Sequence, residues 1–190
     1  MDPNALLIPL LILLPVIMGV VMLNFGADPV LTLSPSLVDT FGHGDEAVGY
    51  LITAFGVGAV TVTVTLRVLR RFMTLRVSGI VGYLVAAAGL GFVSVTMELG
   101  PALVGFFING AGFMMANVSV NTRIQRRVPE ELRGRVMALW GLAFLGCRPI
   151  AALISGWVAD EFGLAVALLM VAVLTAFSAM FSRVSYRTAG

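Results

Sequence analysis

Lysine is missing from this chain: all twelve basic residues are arginine, which reads as codon composition rather than as mechanism. There is a single cysteine, Cys147, inside an apolar run, so neither a disulfide framework nor a cysteine-rich metal site is available. The single histidine, His43, stands in a glycine-containing loop, where a lone imidazole is a surface residue before it is a switch. No cluster of His, Cys and carboxylates, no nucleophile–base pair and no phosphate-cradling glycine loop occurs, which argues against an enzyme, a bound metal or a cofactor. Charge is scarce as well. Only 12 % of residues are charged, while 59 % are hydrophobic and the mean hydropathy is +1.01. A water-soluble domain could not solvate such a surface, so the class is an all-α, polytopic membrane protein. The net charge of +2 would suggest nucleic acid only in a soluble chain; here the placement of the arginines matters instead, and no nucleic-acid partner is expected.

What is present is a series of long apolar runs. At about 20 residues per span the 190 residues accommodate about six helices and short loops. The expected spans are about 5–39, 47–66, 77–95, 102–121, 136–158 and 164–182, forming a single transmembrane domain over 1–190. The first run has Asp2 where a signal peptide would be basic, and no A-x-A-like site follows, so it is expected to be retained as a span. It is longer than a perpendicular crossing needs, and Pro15, Pro29 and Pro35 are candidate kinks. In the second run Gly49, Gly56 and Gly58 suggest close helix packing, and Thr53, Thr61 and Thr65 a weaker polar face.

Eleven of the twelve arginines fall in the second-to-third loop, the fourth-to-fifth loop and the tail. The opposite loops carry Asp39, Asp45, Glu46, Glu98, Asp160 and Glu161 and no arginine. The positive-inside rule then places both termini in the cytoplasm, which requires an even number of spans. The expected location is the cell (inner) membrane, with the lipid bilayer as the first partner.

Polar residues are unevenly shared among the spans. Asn24, Asp28, Thr32 and Ser36 recur every four residues in the first, and Asn109, Phe113, Asn117 and Asn121 do so in the fourth. Such spacing gathers side chains along one side of a helix. Asparagine in hydrocarbon needs partners or water, so the stripe is either a polar seam between helices or a water-lined wall. The third and sixth spans are nearly bare of strong polar groups and are expected to face lipid.

The most informative stretch is PEELRGRVMALWGLAFLGCRPIAALISGWVADEFG, from Pro129 to Gly163. Glu130 and Glu131 open a helix, and Arg133 and Arg135 flank Gly134 in a turn placed to latch the cytoplasmic side. The run then stays apolar to Asp160 except for Arg148, beside Pro149. An ionisable group within a span is costly enough that function is its default explanation. Asp28 lies thirteen residues before Phe41 and Arg148 twelve before Asp160. These offsets put the two at roughly 20 and 18 Å from the outer helix ends, so they could pair near the midplane. Such a pair could lock two helices together, carry a coupling proton, or receive an anionic substrate.

The segment R-V-P-E-E-L-R-G-R-V, followed by a helix containing Gly and Pro, resembles the loop and fifth helix of the C-terminal half of a major facilitator superfamily transporter. The likeness is to the bacterial drug and siderophore exporter branch and extends over the whole chain as one six-helix half. In the second-to-third loop the family's G-x-x-x-D-R-x-G-R-like motif is reduced to Arg67, Arg70, Arg71 and Arg76, without the acid and glycines. The resemblance implies that the first and fourth helices line a cavity, the second and fifth flank it, and the third and sixth lie outside. The cavity candidates are Asn24, Asp28, Thr32, Asn109, Asn117, Asn121 and Arg148. The cytoplasmic gating candidates are Glu130, Arg133, Gly134 and Arg135. The implied function is a secondary active transporter half, exporting small amphipathic compounds by proton coupling, with a missing N-terminal half or a second copy as partner. The alternative is a non-transporting membrane fragment or helical scaffold.

Overall fold

In the computed structural model, residues 29–69, 71–127 and 130–187 are described, and they form helices joined by short turns. In chain order these are α1 (Pro29–Thr32), α2 (Ser34–Thr40), α3 (Glu46–Leu69), α4 (Leu75–Thr96), α5 (Leu99–Arg127), α6 (Glu130–Gly146), α7 (Arg148–Phe162) and α8 (Leu164–Arg187). Four stretches are long and apolar enough to cross a membrane: Glu46–Leu66, Leu75–Thr96, Leu99–Arg123 and Val136–Phe162, with the shorter apolar Leu164–Met180 beyond them. Four stretches are thus of membrane length among the described residues, and the apolar part of α8 is shorter. The helices run on past the apolar segments, so Arg67, Arg123, Arg126 and Arg127 end helices rather than occupying loops. Backbone bonds cost nothing to continue into the interface, where arginine also complements the negative C-terminal end of a helix.

The turns are tight and each has a local cause. Thr74 caps α4 by accepting the Val77 N–H at 3.4 Å. At the other end Met97 adopts φ 45°, and its N–H bonds the Val93 carbonyl at 3.1 Å, closing α4 one residue before Glu98. Gly163 (φ 91°) does the same for α7 through the Ala159 carbonyl, a backbone region natural to glycine. Pro101 sits in the first turn of α5, where its missing N–H has no intrahelical partner to lose.

Two helices are interrupted, and both interruptions stand two residues before a proline. Leu33 separates α1 from α2 ahead of Pro35, and Cys147 separates α6 from α7 ahead of Pro149. Leu33 (φ −96°, ψ −12°) and Cys147 (φ −83°, ψ −14°) remain in the right-handed helical region. The chain picks up again with Leu37 N–H to Leu33 at 2.9 Å and Ala151 N–H to Cys147 at 3.0 Å. Each is therefore a break in the hydrogen-bond ladder of a continuing helix, the kind of site at which proline favours a bend by removing a donor and crowding the carbonyl four residues back.

Helix α5 is the centre of the bundle, in extensive contact with α3 and α4, while α4 also packs along α8. Glycine makes these approaches possible. A Cβ on Gly82 would lie 2.5 Å from the Ala116 nitrogen, and one on Gly89 2.5 Å from the Gly105 carbonyl oxygen. On the α3 side Gly58 abuts the Phe107 carbonyl and Gly110 the Phe55 carbonyl. Of the three glycines expected to pack in the second span, only Gly58 does; Gly49 and Gly56 face open space.

Burial does not follow polarity. The apolar window of α4, expected to face lipid, is 44 % buried, whereas that of Val136–Phe162 is 6 % buried. Within lipid, apolar character cannot decide between a neighbouring helix and an acyl chain, and small residues decide instead. Ser78 and Ser119 join α4 to α5 by a hydroxyl–hydroxyl bond of 3.0 Å, with Ser119 donating to the Met115 carbonyl at 2.7 Å. The threonines of α3 settle locally: Thr61 donates to Val57 and Thr65 to Thr61, each at 2.7 Å.

Two apolar cores result. One, near the Phe41–Asp45 and Met97–Glu98 turns, joins Leu37, Leu51, Leu90, Phe106, Leu168 and Val171. The other, towards the opposite end, centres on Tyr83, Phe113, Ala116, Val120 and Ala179.

Candidate functional site

The bend at Cys147 divides the fifth span between these cores. Val136, Met137, Trp140 and Phe144 of α6 pack against the Phe113 core. Val158 of α7 belongs to the other, and α7 contacts α8 and α1. On α6, Trp140 and Phe144 are one turn apart and stack with centroids 4.9 Å apart and planes at 14°. Phe144 meets Phe113 of α5 at 6.4 Å, and Phe113 meets Phe55 of α3 at 5.7 Å. A continuous run of rings therefore crosses from α3 through α5 to α6.

Arg148 is the first residue of α7 and is half-buried. Its Nε is buried and has no hydrogen-bond partner among the described residues. The same is true of the Trp140 indole Nε1. A buried donor left without an acceptor costs about 1–3 kcal/mol, and more when charged, and no described residue offsets that cost at either atom. Arg148 was legible in the sequence as a charge within a span; Trp140 was not, because an aromatic in an apolar run is more often packing. The four-residue spacing of Trp140, Phe144 and Arg148 was the available signal.

The asparagine stripe of α5 is not one surface. Asn109 is fully buried and donates its Nδ2 to the Ala86 carbonyl of α4 at 3.0 Å, so its amide serves a helix–helix contact. Asn117 is half-buried. Asn121 is also half-buried, and its Oδ1 accepts from Gln125 Nε2 at 2.9 Å. A four-residue step overshoots a turn by ~40°, so three steps rotate by roughly 120° and carry Asn109 and Asn121 to different sides. Asn109 thus departs from the expected cavity wall.

Thr32 closes α1 and is half-buried. Asn24 and Asp28, and with Asp28 the expected pairing to Arg148, lie outside the described residues. Glu130, expected to open a helix, is the first residue of α6, and Arg133, Gly134 and Arg135, expected as a turn, instead lie within the opening turns of that helix. Acidic Glu130 and Glu131 suit a helix N-terminus, and one glycine costs a helix only about 1 kcal/mol. Glu130 and Gly134 are exposed, with open space where a Gly134 Cβ would stand.

Among the described residues no group of His, Cys, Asp and Glu is placed to hold a metal ion. What these features can do is present hydrogen-bond donors and amides from bent or closely packed helices inside an apolar bundle. No curated protein matches the sequence. A family model described as transmembrane secretion effector matches residues 12–188. With nearly the whole chain covered, and an all-helical membrane bundle beneath the match, the chain belongs to the transmembrane secretion effector family of major facilitator transporters.

Proposed function

We propose that the chain is one six-helix half of a secondary active transporter in the cell membrane, exporting small amphipathic compounds in exchange for protons. Both termini are cytoplasmic in this reading, and a partner half or a second copy completes the transport path. The observation that carries it is Arg148, a guanidinium placed within a span at a bend, with a buried Nε that no described residue satisfies. A structural charge is normally paired by its own bundle, whereas one that handles substrate or coupling ion must be free to exchange partners. Asn24, Asp28, Thr32, Asn117 and Asn121 are assigned to the same polar path, and Asp28 is the candidate for the coupling proton.

The test is water access. In protein whose Cys147 has been replaced, cysteines introduced singly at positions 24, 28, 117 and 148 should react with a membrane-impermeant thiol reagent. A non-transporting scaffold is the second reading, favoured by Asn109, whose amide bonds a neighbouring helix. It requires all four positions to be dry, and uniform lack of labelling would replace the transporter with the scaffold. At the opening of α6, Arg133 and Arg135 are assigned to a cytoplasmic latch together with Glu130. Changing both arginines to glutamine should slow transport more than it lowers expression; equal loss of the two would assign them to folding.

A further inference from the structure

The donors of the fifth span say which kind of substrate it would receive, an inference that rests on the transporter reading above. Trp140 Nε1 and Arg148 Nε are both buried without an acceptor among the described residues. Between them stands Phe144, stacked on Trp140. The three recur at four-residue intervals, and at 1.5 Å per residue the backbones of Trp140 and Arg148 stand about 12 Å apart along the chain's helical path, with the break at Cys147 just before Arg148. Neither indole nor guanidinium can accept a hydrogen bond, so the wall offers donors alone. The described spans supply no carboxylate to answer them. Asp39, Asp45, Glu46, Glu98, Glu130, Glu131, Asp160 and Glu161 all stand at helix ends or in turns.

We propose that Trp140, Phe144 and Arg148 form one wall of the substrate site, and that its ligand is an amphipathic anion bearing oxygen acceptors on an apolar, ring-containing body. The guanidinium takes the anionic oxygens, the indole N–H takes a second acceptor, and the stacked rings face the apolar body. A cation of the same body would leave both donors unanswered and face Arg148 with a like charge.

Cys147 gives a readout that needs no transport. It is the chain's single cysteine, half-buried, and adjacent to Arg148. With the full chain in proteoliposomes, the rate of Cys147 alkylation by N-ethylmaleimide is measured against rising 1-naphthalenesulfonate, 1-naphthylmethylammonium or 1-naphthalenemethanol. Each rate is taken relative to the same protein without probe, which removes the effect of a substitution on thiol reactivity. The sulfonate should protect saturably, and the ammonium and alcohol should not. Arg148→Gln should abolish the protection and Arg148→Lys retain part of it. Trp140→Phe, which keeps the stacked ring, should leave protection by 1-naphthalenesulfonate unchanged and raise the half-protecting concentration of naphthalene-2,6-disulfonate, whose far sulfonate supplies the second acceptor, by about threefold to tenfold, the range for one hydrogen bond. Equal protection by all three probes, or protection that survives Arg148→Gln, would mean partition into lipid and overturn the proposal. So would protection seen only after Asp28→Asn, because the acceptor would then be the chain's own carboxylate. Failure here with positions 24, 28, 117 and 148 still water-accessible removes the anion preference alone and leaves the transporter reading standing.

Discussion

At the scale of single residues, the bundle is set by what is missing from its helix surfaces. Where α4 meets α5, Gly82 and Gly112 lie against backbone atoms of the opposite helix, so an added methyl group finds main chain rather than a movable side chain. Gly112→Ala should therefore lower the thermal stability of the detergent-solubilised protein by an amount in the ~1–3 kcal/mol range of overpacked sites. Gly91→Ala, on the same pair of helices but facing open space, should leave it unchanged or raised. Equal effects of the two would mean that the helices can separate freely. Arg148 supplies the second residue-scale prediction. If Asp28 is its partner, Asp28→Asn and Arg148→Gln should each cost ~3–5 kcal/mol, while the double variant recovers much of the loss. Recovery of folding without transport would assign the pair to coupling or substrate, recovery of both to structure. Additive losses would show that the two residues do not interact.

At the scale of the element, the fifth span is two helical segments with different allegiances. Its first segment belongs to the Phe113 core and its second to α8 and α1, with Gly146, Cys147 and Pro149 between them. Proline removes the donor that would bond the Leu145 carbonyl, so the bend should relax when that donor is restored. In Pro149→Ala protein with Cys147 replaced, spin labels at the exposed positions Leu142 and Leu153, which share the helix side that the proline opens, should move closer together relative to the Pro149 protein. An unchanged distance would mean that tertiary packing, not the proline, holds the bend.

At the scale of the whole molecule, the prediction is topological. Reporters fused after Gly190 should read cytoplasm, and tags at Gly44 or Glu98 the opposite side, because eleven arginines border one face and none the other. A C-terminal reporter on the outer side would remove the even number of spans.

The division between what the sequence by itself determined and what only the tertiary structure decided follows from the solvent. Hydropathy over twenty residues places a helix in the membrane because every backbone polar group must be satisfied there, so an all-helical bundle with several membrane-length helices was legible in the sequence. The break before Pro35 was legible for a similarly local reason, since a missing donor acts within one turn; the same reasoning applies to Pro149, where no kink was expected. Which helix faces which was not legible. Hydrophobicity is uninformative where lipid and neighbour are equally apolar, so the sequence does not tell that one side of α4 packs along α5 and α8 while Leu84, Phe92 and Val95 of the same helix stay exposed. Asn109, Asn117 and Asn121 looked like one stripe, yet the rotation accumulated over successive turns gives Asn109 to the α4 contact and leaves Asn117 half-buried. The helical state of Arg133 to Arg135 and the unanswered indole of Trp140 also needed the fold.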